Sequence, residues 1–306
     1  MDADAPADAP PPSHSAPTPI RRVIRMTLTV VIGAPLAVIL VLTGCQRKMI
    51  YLPQPYPANI LQMLPEGMVP IEADMGGRRQ VAFYMPPRSG HSGAPERLWI
   101  VFGGNGSVAL AWHEFAASCE DDDAAFLLVD YPGYGICEGR PKRSTIREGA
   151  DALIAALAEH LGVEEQSLAG EVGYLGHSLG AAVALEAVQR HGAQRVVMVS
   201  PFTSLVDMAR GMFGWPLCHL VFDRFDNRAR LDEIAVSNPR PEVTIIHGAQ
   251  DDIVPVRNGR ALAALHPDWI RYIEIPDGDH NGILDTAEAE IHAAMLADHH
   301  SEGESP

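Results

Sequence analysis

The sequence is poor in cysteine, which excludes two kinds of small-domain scaffold. Its four cysteines are Cys45, Cys119, Cys137 and Cys218 in 306 residues. They form no C-x-x-C pair and show no histidine and cysteine spacing typical of a zinc site. Cys45 lies in an N-terminal segment outside the main domain. Three cysteines remain for that domain, and at most one disulfide bridge can form among them. We therefore expect no metal site, and no motif in the chain indicates a cofactor.

Basic residues are also scarce. The chain has 23 Lys and Arg against 39 Asp and Glu, a formal net charge of -16. A phosphate backbone would be repelled by such a chain, so we expect no nucleic-acid partner. With 47% hydrophobic residues, a core of ordinary size can form.

Linkers and internal repeats are absent between residues 46 and 306, so this stretch is predicted to be one domain. Residues 1–20 differ from it in composition, because aspartates alternate there with alanine and proline and lead to a run of three prolines. Such a segment cannot bury a core, and we predict a disordered tail.

An uncharged and mostly apolar run of 19 residues extends from Met26 to Gly44, and basic residues lie on both sides of it. This arrangement predicts that residues 21–45 are a signal peptide or a membrane anchor. The end of the run, Leu42-Thr43-Gly44-Cys45, resembles the lipobox of bacterial lipoproteins, in which the cysteine is lipidated and becomes the first mature residue. This resemblance makes Cys45 the candidate lipid attachment site.

Two alternatives remain for this segment: an uncleaved membrane-spanning helix and a plain signal peptide that is removed. All three place the folded domain outside the cytoplasm or on a membrane. We expect an exported protein anchored to a membrane, as a periplasmic or cell-surface lipoprotein would be.

Strand and helix patterns alternate along the domain. An antiparallel hairpin is predicted at 69–74 and 80–85, on either side of a Gly-Gly pair. Apolar runs predict strands at 98–102, 124–129, 171–175, 195–200, 242–247 and 270–275. The runs at 98–102 and 124–129 are unbroken, which is typical of strands buried on both faces. Helical spacing appears at 145–161, 181–188, 258–266 and 284–298. The sequence therefore predicts an α/β fold with a mostly parallel twisted sheet and helices on both faces, whose ligands gather at the carboxyl ends of the strands.

A G-x-S-x-G motif, Gly176-His177-Ser178-Leu179-Gly180, follows one of these apolar runs and precedes a helical pattern. Such a motif forms a sharp strand-to-helix turn that lifts the serine hydroxyl clear of the sheet, and glycines are needed where a Cβ would meet the neighbouring strand or helix. A serine that merely caps a helix is the structural alternative.

A nucleophilic serine needs a base, and the base needs a carboxylate that orients it. Asp251 follows a late strand and His280 follows the last one, so both are expected at the same sheet edge as Ser178. The order Ser178, Asp251, His280 is the order of α/β-hydrolases rather than that of chymotrypsin-like or subtilisin-like enzymes. Asp252 and Asp223 are alternative acids.

Six blocks of sequence carry a resemblance to a known family. They are FGGNGS, DYPGYGICEGRP, GYLGHSLGAAVA, SPFTSL, IIHGAQDDIVP and GDHNGI, and together they span residues 98–284. The chain resembles α/β-hydrolases, and in particular the subgroup of serine-aminopeptidase-like hydrolases and membrane-associated depalmitoylases.

The resemblance implies an oxyanion hole formed by two backbone N–H groups, those of Asn105 and Leu179. The sequence departs from the family at Gly103, where relatives usually have histidine. The backbone donor is unaffected by this difference, but the support that a histidine gives the loop is not provided by residue 103.

A segment at about 201–240 lies where such hydrolases usually carry a small helical cap. It is rich in methionine and aromatic residues, and we expect them to line an acyl pocket. The predicted function is a serine hydrolase of carboxylic esters or thioesters, acting on small-molecule or lipid-like acyl substrates. A serine peptidase, for which Asp223 and Asp226 could bind a free amine, and a non-catalytic surface-binding lipoprotein are the alternatives.

Overall fold

A computed structural model describes residues 19–90, 94–168 and 172–296, apart from the side chains of residues 22 and 25. The predicted tail therefore lies, up to residue 18, outside the described residues. The chain divides into two compact units, Met1–Cys45 and Gln46–Pro306.

The N-terminal unit contains most of one long helical stretch. Helix α1 (Pro19–Leu28) continues through a π-helical turn (Thr29–Gly33) into α2 (Ala34–Ile50). The combined stretch of 32 residues contains a window of mean hydropathy 2.4, and none of that window is buried. It is thus long and apolar enough to cross a membrane, a property that an export signal shares.

The second unit is built around one eight-stranded sheet. Its strands are β1 (Val69–Asp74), β2 (Arg79–Met85), β3 (Arg97–Phe102), β4 (Ala124–Val129), β5 (Val172–His177), β6 (Arg195–Val199), β7 (Glu242–Gly248) and β8 (Ile270–Ile275). Their order across the sheet is β1-β2-β4-β3-β5-β6-β7-β8. The pairs β1·β2 and β2·β4 are antiparallel, and all the other neighbouring strands are parallel.

Helices cover both faces of the sheet. They are α3 (His113–Ala117), α4 (Arg143–Leu161), α5 (Glu165–Leu168), α6 (Leu179–His191), α7 (Leu205–Phe213), α8 (Asn227–Ala235), α9 (Arg257–Ala263), α10 (Ile283–Thr286) and α11 (Glu288–Leu296). One buried cluster joins the sheet to α4, α6 and α8, and a second joins its other face to α3 and α11. Because β4, β5 and β6 are buried along their whole length, their apolar residues do not alternate with polar ones.

The predicted α/β-hydrolase fold is confirmed, and the boundaries that differ have local causes. Helix α4 begins at Arg143, before the predicted start, because the Thr145 hydroxyl accepts a hydrogen bond from the Lys142 backbone and caps the first turn. Strand β6 ends at Val199 because Ser200 adopts a φ of 47°. The last predicted helix is divided into α10 and α11.

Two short helices and a 3₁₀ turn follow β6. Helix α7 is capped by the Ser204 side chain and α8 by Asp226. The turn Leu217–Leu220 lies between them. Cys119, Cys137 and Cys218 are buried free thiols, and Cys45 is an exposed one.

Candidate active site

Ser178 occupies a strained turn between β5 and α6. Its φ of 54° and ψ of -111° are unusual for a residue with a side chain. The Ser178 backbone N–H donates to Val199 O on the neighbouring strand at 2.8 Å, which fixes the turn against the sheet. The turn therefore places the serine just beyond the carboxyl end of β5, at the N-terminus of α6.

Glycine is required on both sides of this turn. A Cβ on Gly176 would collide with the backbone of Gly180 and Ala181, and a Cβ on Gly180 would collide with the backbone of Phe102 and Gly103. Strand, turn and helix thus approach more closely than any side chain allows, which explains the motif in physical terms.

The structure brings Asp251 and His280 together. Asp251 follows β7 and His280 follows β8, and His280 Nδ1 lies 2.7 Å from Asp251 Oδ2. The second carboxylate oxygen accepts hydrogen bonds from the backbone N–H groups of Ile253 and Val254, at 3.0 and 2.7 Å. Both side chains are buried. The carboxylate is therefore fixed at both oxygens and faces the imidazole.

His247 is a second histidine at this carboxylate. Its Nε2–H donates to Val254 O at 2.7 Å and lies 3.3 Å from Asp251 Oδ2. His247 is completely buried, and its Nδ1 lies against Gly259. A Cβ on residue 259 would lie 2.5 Å from this Nδ1, so only glycine fits there. The contact of His247 with Asp251 was not predicted from the sequence. The spacing of four residues between His247 and Asp251 was the available signal.

These contacts stabilise the negative charge of the Asp251 carboxylate. Burial by itself raises the pKa of Asp251, but hydrogen bonds from His247 and His280 and from the Val254 backbone outweigh it and keep the pKa well below its ordinary value. An ionised carboxylate only accepts hydrogen bonds, so His280 Nδ1 carries the proton. The Nε2 atom of a neutral His280 is then free to accept one.

His177 lies between two loops of the site. Its Nε2 is 2.9 Å from His280 O, and its ring centroid is 4.9 Å from that of His280. On its other side, a Cβ on Gly104 would lie 3.1 Å from His177 Nδ1. Burial and, to a smaller extent, the neighbouring His280 lower the pKa of His177 to about 4. The neutral ring donates from Nε2 to the His280 carbonyl, a contact that was not predicted from the sequence.

The loop that contains Asn105 is held by three tyrosine and backbone contacts. The Tyr134 hydroxyl donates to Asn105 O at 2.6 Å, and Leu52 N–H donates to the same oxygen at 3.0 Å. The Tyr131 hydroxyl donates to Gly103 O at 2.6 Å. These bonds orient the peptide units of the loop next to the start of α6.

The space beside Gly103 is filled by other side chains. A Cβ at this position would lie 2.9 Å from the Ser107 side chain and 3.0 Å from Trp112 Nε1. Trp112 Nε1 donates to the Ser107 hydroxyl at 3.2 Å. This pair, together with Tyr131, supports the loop where the family usually has a histidine.

The alternative acids have other partners. Asp223 is buried and accepts hydrogen bonds from Arg143 N at 3.1 Å and from Arg47 Nε at 3.3 Å. Asp226 caps α8 through Ala229 N–H at 3.2 Å. Asp252 is exposed. The structure therefore pairs His280 with Asp251, and the two cap aspartates are engaged in local contacts.

A groove of about 770 Å³ lies between α7 and the segment after Asp251. Its walls combine apolar and charged side chains, including Met208, Met212, Ile253, Asp207, Arg210, Arg228 and Arg257. Of the apolar cap residues expected to line a pocket, Met212 contributes to the wall of this groove although it is 67% exposed, whereas Trp215 and Phe222 are 77% and 61% exposed and do not line it. Only Phe202 and Phe225 of the cap aromatics are buried in the part of the chain that the structure describes.

Among the described residues, no group of three or more His, Cys, Asp or Glu side chains is arranged to hold a metal ion.

Comparisons with known proteins agree with this fold. A profile of the Alpha/beta hydrolase family matches residues 100–240. The chain is 33% identical over 247 residues to "Uncharacterized protein Rv2307c" of Mycobacterium tuberculosis. The aligned region covers 80% of this chain and 83% of that relative. The chain is 26% identical over 155 residues to "Alpha/beta hydrolase domain-containing protein 17C" of Mus musculus, which covers 50% of this chain and 44% of the relative.

Solved structures show the same architecture. An alpha-beta hydrolase from Vibrio vulnificus is similar over 94% of this chain and 98% of its own, with a TM-score of 0.59 and 14% identity. Est1E from Butyrivibrio proteoclasticus, solved with ferulic acid, is similar over 74% and 97%, with a TM-score of 0.55 and 17% identity. A thioesterase domain from the curacin biosynthetic pathway is similar over 75% and 99%, with a TM-score of 0.53 and 13% identity. At these identities the likeness concerns the fold.

Proposed function

Because this chain belongs to the α/β-hydrolase family, we propose that it is a serine hydrolase that cleaves carboxylic esters or thioesters of acyl chains. The observation that carries this proposal is the 2.7 Å contact between His280 Nδ1 and Asp251 Oδ2 at the sheet edge where Ser178 turns into α6. Ser178 is the nucleophile, His280 the base and Asp251 the acid that orients it.

The reaction proceeds in two halves. Ser178 Oγ attacks the substrate carbonyl while its proton passes to His280 Nε2, and the backbone N–H groups of Asn105 and Leu179 stabilise the negative oxygen that forms. The intermediate collapses, the C–O or C–S bond breaks, and the leaving alcohol or thiol takes the proton from His280. Water then attacks the acyl-serine with His280 again as base, and the acid is released.

The acyl preference is supported by the groove beside Asp251. Met208, Met212 and Ile253 contribute apolar surface to it. Each buried CH₂ is worth about 0.8 kcal/mol, so a few more methylenes in the acyl chain raise affinity by more than tenfold. The peptidase alternative has less support, since Asp223 and Asp226 are engaged by Arg143, Arg47 and the start of α8.

We further propose that the N-terminal segment holds the enzyme at a membrane outside the cytoplasm, with Cys45 as the lipid attachment point. The apolar stretch ending at Cys45 and the exposure of that thiol support this. An acylated cysteine gives firm anchoring only when more than one chain is attached.

A panel of p-nitrophenyl esters beside aminoacyl anilides tests the substrate class. We expect kcat/KM to rise from acetyl to octanoyl by at least tenfold, and the anilides to be poor substrates. A steady fall along the ester series, or faster cleavage of the anilides, would contradict the proposed specificity.

A further inference from the structure

Three large apolar side chains are exposed within residues 212–222, which we call the apolar cap segment. They are Met212, Trp215 and Phe222. The turn Leu217–Leu220 of this segment packs against α7, and Cys218 within it is buried. Single exposed apolar residues are ordinary, but two aromatic rings and a methionine in so short a stretch indicate an apolar partner.

The folded domain begins beside this segment. Phe222 N–H donates to Gln46 Oε1 at 2.8 Å, and Gln46 Nε2 donates to Leu220 O at 3.3 Å. The next residue, Arg47, forms an ion pair with buried Asp223 at 3.3 Å. Gln46 is joined covalently to Cys45, so the apolar N-terminal segment leaves the domain next to Phe222.

The charges near the apolar cap segment suit an anionic lipid surface. Arg224 is exposed, and its hydrogen-bond acceptors are the backbone carbonyls of His219 and Val221 rather than carboxylates. Near the other end of the segment, the Arg210 side chain is 53% exposed and forms a 3.5 Å ion pair with Asp207. Aromatic rings flanked by arginines are typical of protein surfaces at the headgroup region of a bilayer.

We propose that the apolar cap segment lies against the membrane, with Trp215 and Phe222 at the boundary of headgroups and acyl chains. The proposal deepens the proposed function and depends on its membrane attachment. Met212 belongs both to this segment and to the groove that runs to the loop of Asp251. A lipid acyl chain that leaves the bilayer at Met212 thus enters the groove directly, so the substrate class is an acylated lipid or lipid-modified molecule taken from the membrane.

Tryptophan quenching tests the contact without relying on activity. The full chain is reconstituted in phosphatidylcholine and phosphatidylglycerol vesicles that contain a doxyl-labelled lipid. We expect the quenched fraction of the wild type to be at least twice that of Trp215→Phe. Trp269→Phe is the matched control and should leave quenching unchanged, because Trp269 lies at the amino end of β8, whereas the apolar cap segment follows the carboxyl end of β6. Equal quenching in the wild type and Trp215→Phe would overturn the proposal.

Activity gives a second test. The double variant Trp215→Ser/Phe222→Ser should cleave a long-chain ester embedded in vesicles at least tenfold more slowly than the wild type, and p-nitrophenyl butyrate in solution within twofold of it. Val236→Ser, which removes another exposed apolar side chain, is the control and should change neither rate. Equal rates of the double variant and the wild type on the vesicle substrate would overturn the proposal.

These measurements separate the two claims. A wild type that cleaves neither ester but shows Trp215 quenching contradicts the proposed hydrolase and supports the membrane contact. A wild type that cleaves both esters and floats with vesicles but shows no Trp215 quenching contradicts the contact alone. A chain that does not float with vesicles overturns the anchoring and the contact together.

Discussion

At the scale of single residues, the contacts of Asp251 support its assignment as the acid of the proposed site most specifically. Asp251 accepts hydrogen bonds from His280 and from the backbone of Ile253 and Val254, and His247 Nε2 lies 3.3 Å from its Oδ2. Asp251→Asn presents an amide to two histidines and loses the negative charge that stabilises a protonated His280. In a serine protease the same change costs about 10⁴ in kcat, and we expect a loss of similar order here.

Two other aspartates are controls for this variant. Asp252→Asn changes an exposed neighbour and Asp223→Asn a cap residue bound by arginine, and each should keep activity within about threefold. Steady-state kinetics on one p-nitrophenyl ester compares all three. An active Asp251→Asn beside an inactive Asp252→Asn or Asp223→Asn would refute the assignment.

His177 is expected to make folding stability depend on pH. Its pKa in the folded protein, about 4, is below its ordinary value near 6.5. The unfolded chain therefore binds more protons between these pH values, so the free energy of unfolding rises with pH through this window. The contribution of His177 to this free energy is lost as the pH falls toward 4. The effect is on the order of 3 kcal/mol.

His177→Gln can still donate to His280 O but does not titrate. Denaturant unfolding at pH 7 and pH 4.5 should show a smaller loss of stability in this variant than in the wild type. If both proteins lose the same free energy, the burial of a neutral His177 does not control this window.

At the scale of elements, the segment from Gln46 to Tyr56 supports the loop that contains Asn105, the proposed oxyanion donor. Leu52 N–H and the Tyr134 hydroxyl both donate to Asn105 O, and the Tyr134 hydroxyl also accepts from Leu52 N–H at 3.0 Å. Tyr134→Phe removes two of these three bonds while keeping the ring. Small displacements of an oxyanion donor reduce kcat more than substrate binding, so we expect kcat to fall about tenfold with KM nearly unchanged.

Tyr56→Phe is the matched control, since the Tyr56 hydroxyl contacts Leu110 N–H at 2.8 Å and not Asn105. Measuring kcat and KM of both variants on the same ester tests whether the Tyr134 hydroxyl positions the loop that contains Asn105. A rise in KM with unchanged kcat in Tyr134→Phe would show that this tyrosine does not position the oxyanion loop.

Most elements could be predicted from the sequence because their signals are local. The apolar runs gave the strands of the parallel part of the sheet, and the Gly-Gly pair between β1 and β2 gave the hairpin. The contacts of His177 with His280 and of Leu52 with Asn105 could not be predicted, because they join residues far apart in the chain. The outward orientation of Trp215 and Phe222 could not be predicted either, since composition gives no direction to a side chain in a loop.

At the scale of the whole molecule, the N-terminal segment is expected to determine where the enzyme acts. If Cys45 is lipidated, Cys45→Ala should prevent processing or release the protein from the membrane fraction. Fractionation followed by intact mass measurement checks this. A variant that stays membrane-bound with an unchanged mature mass would favour the uncleaved membrane-spanning helix.

The proposed hydrolase mechanism depends on Ser178 as the nucleophile. The most direct test is reaction of the full chain with a fluorophosphonate, followed by intact and peptide mass spectrometry. We predict one adduct, on the peptide that contains Ser178, and no adduct in Ser178→Ala. An unmodified wild type, or an adduct that persists in Ser178→Ala, would contradict the account.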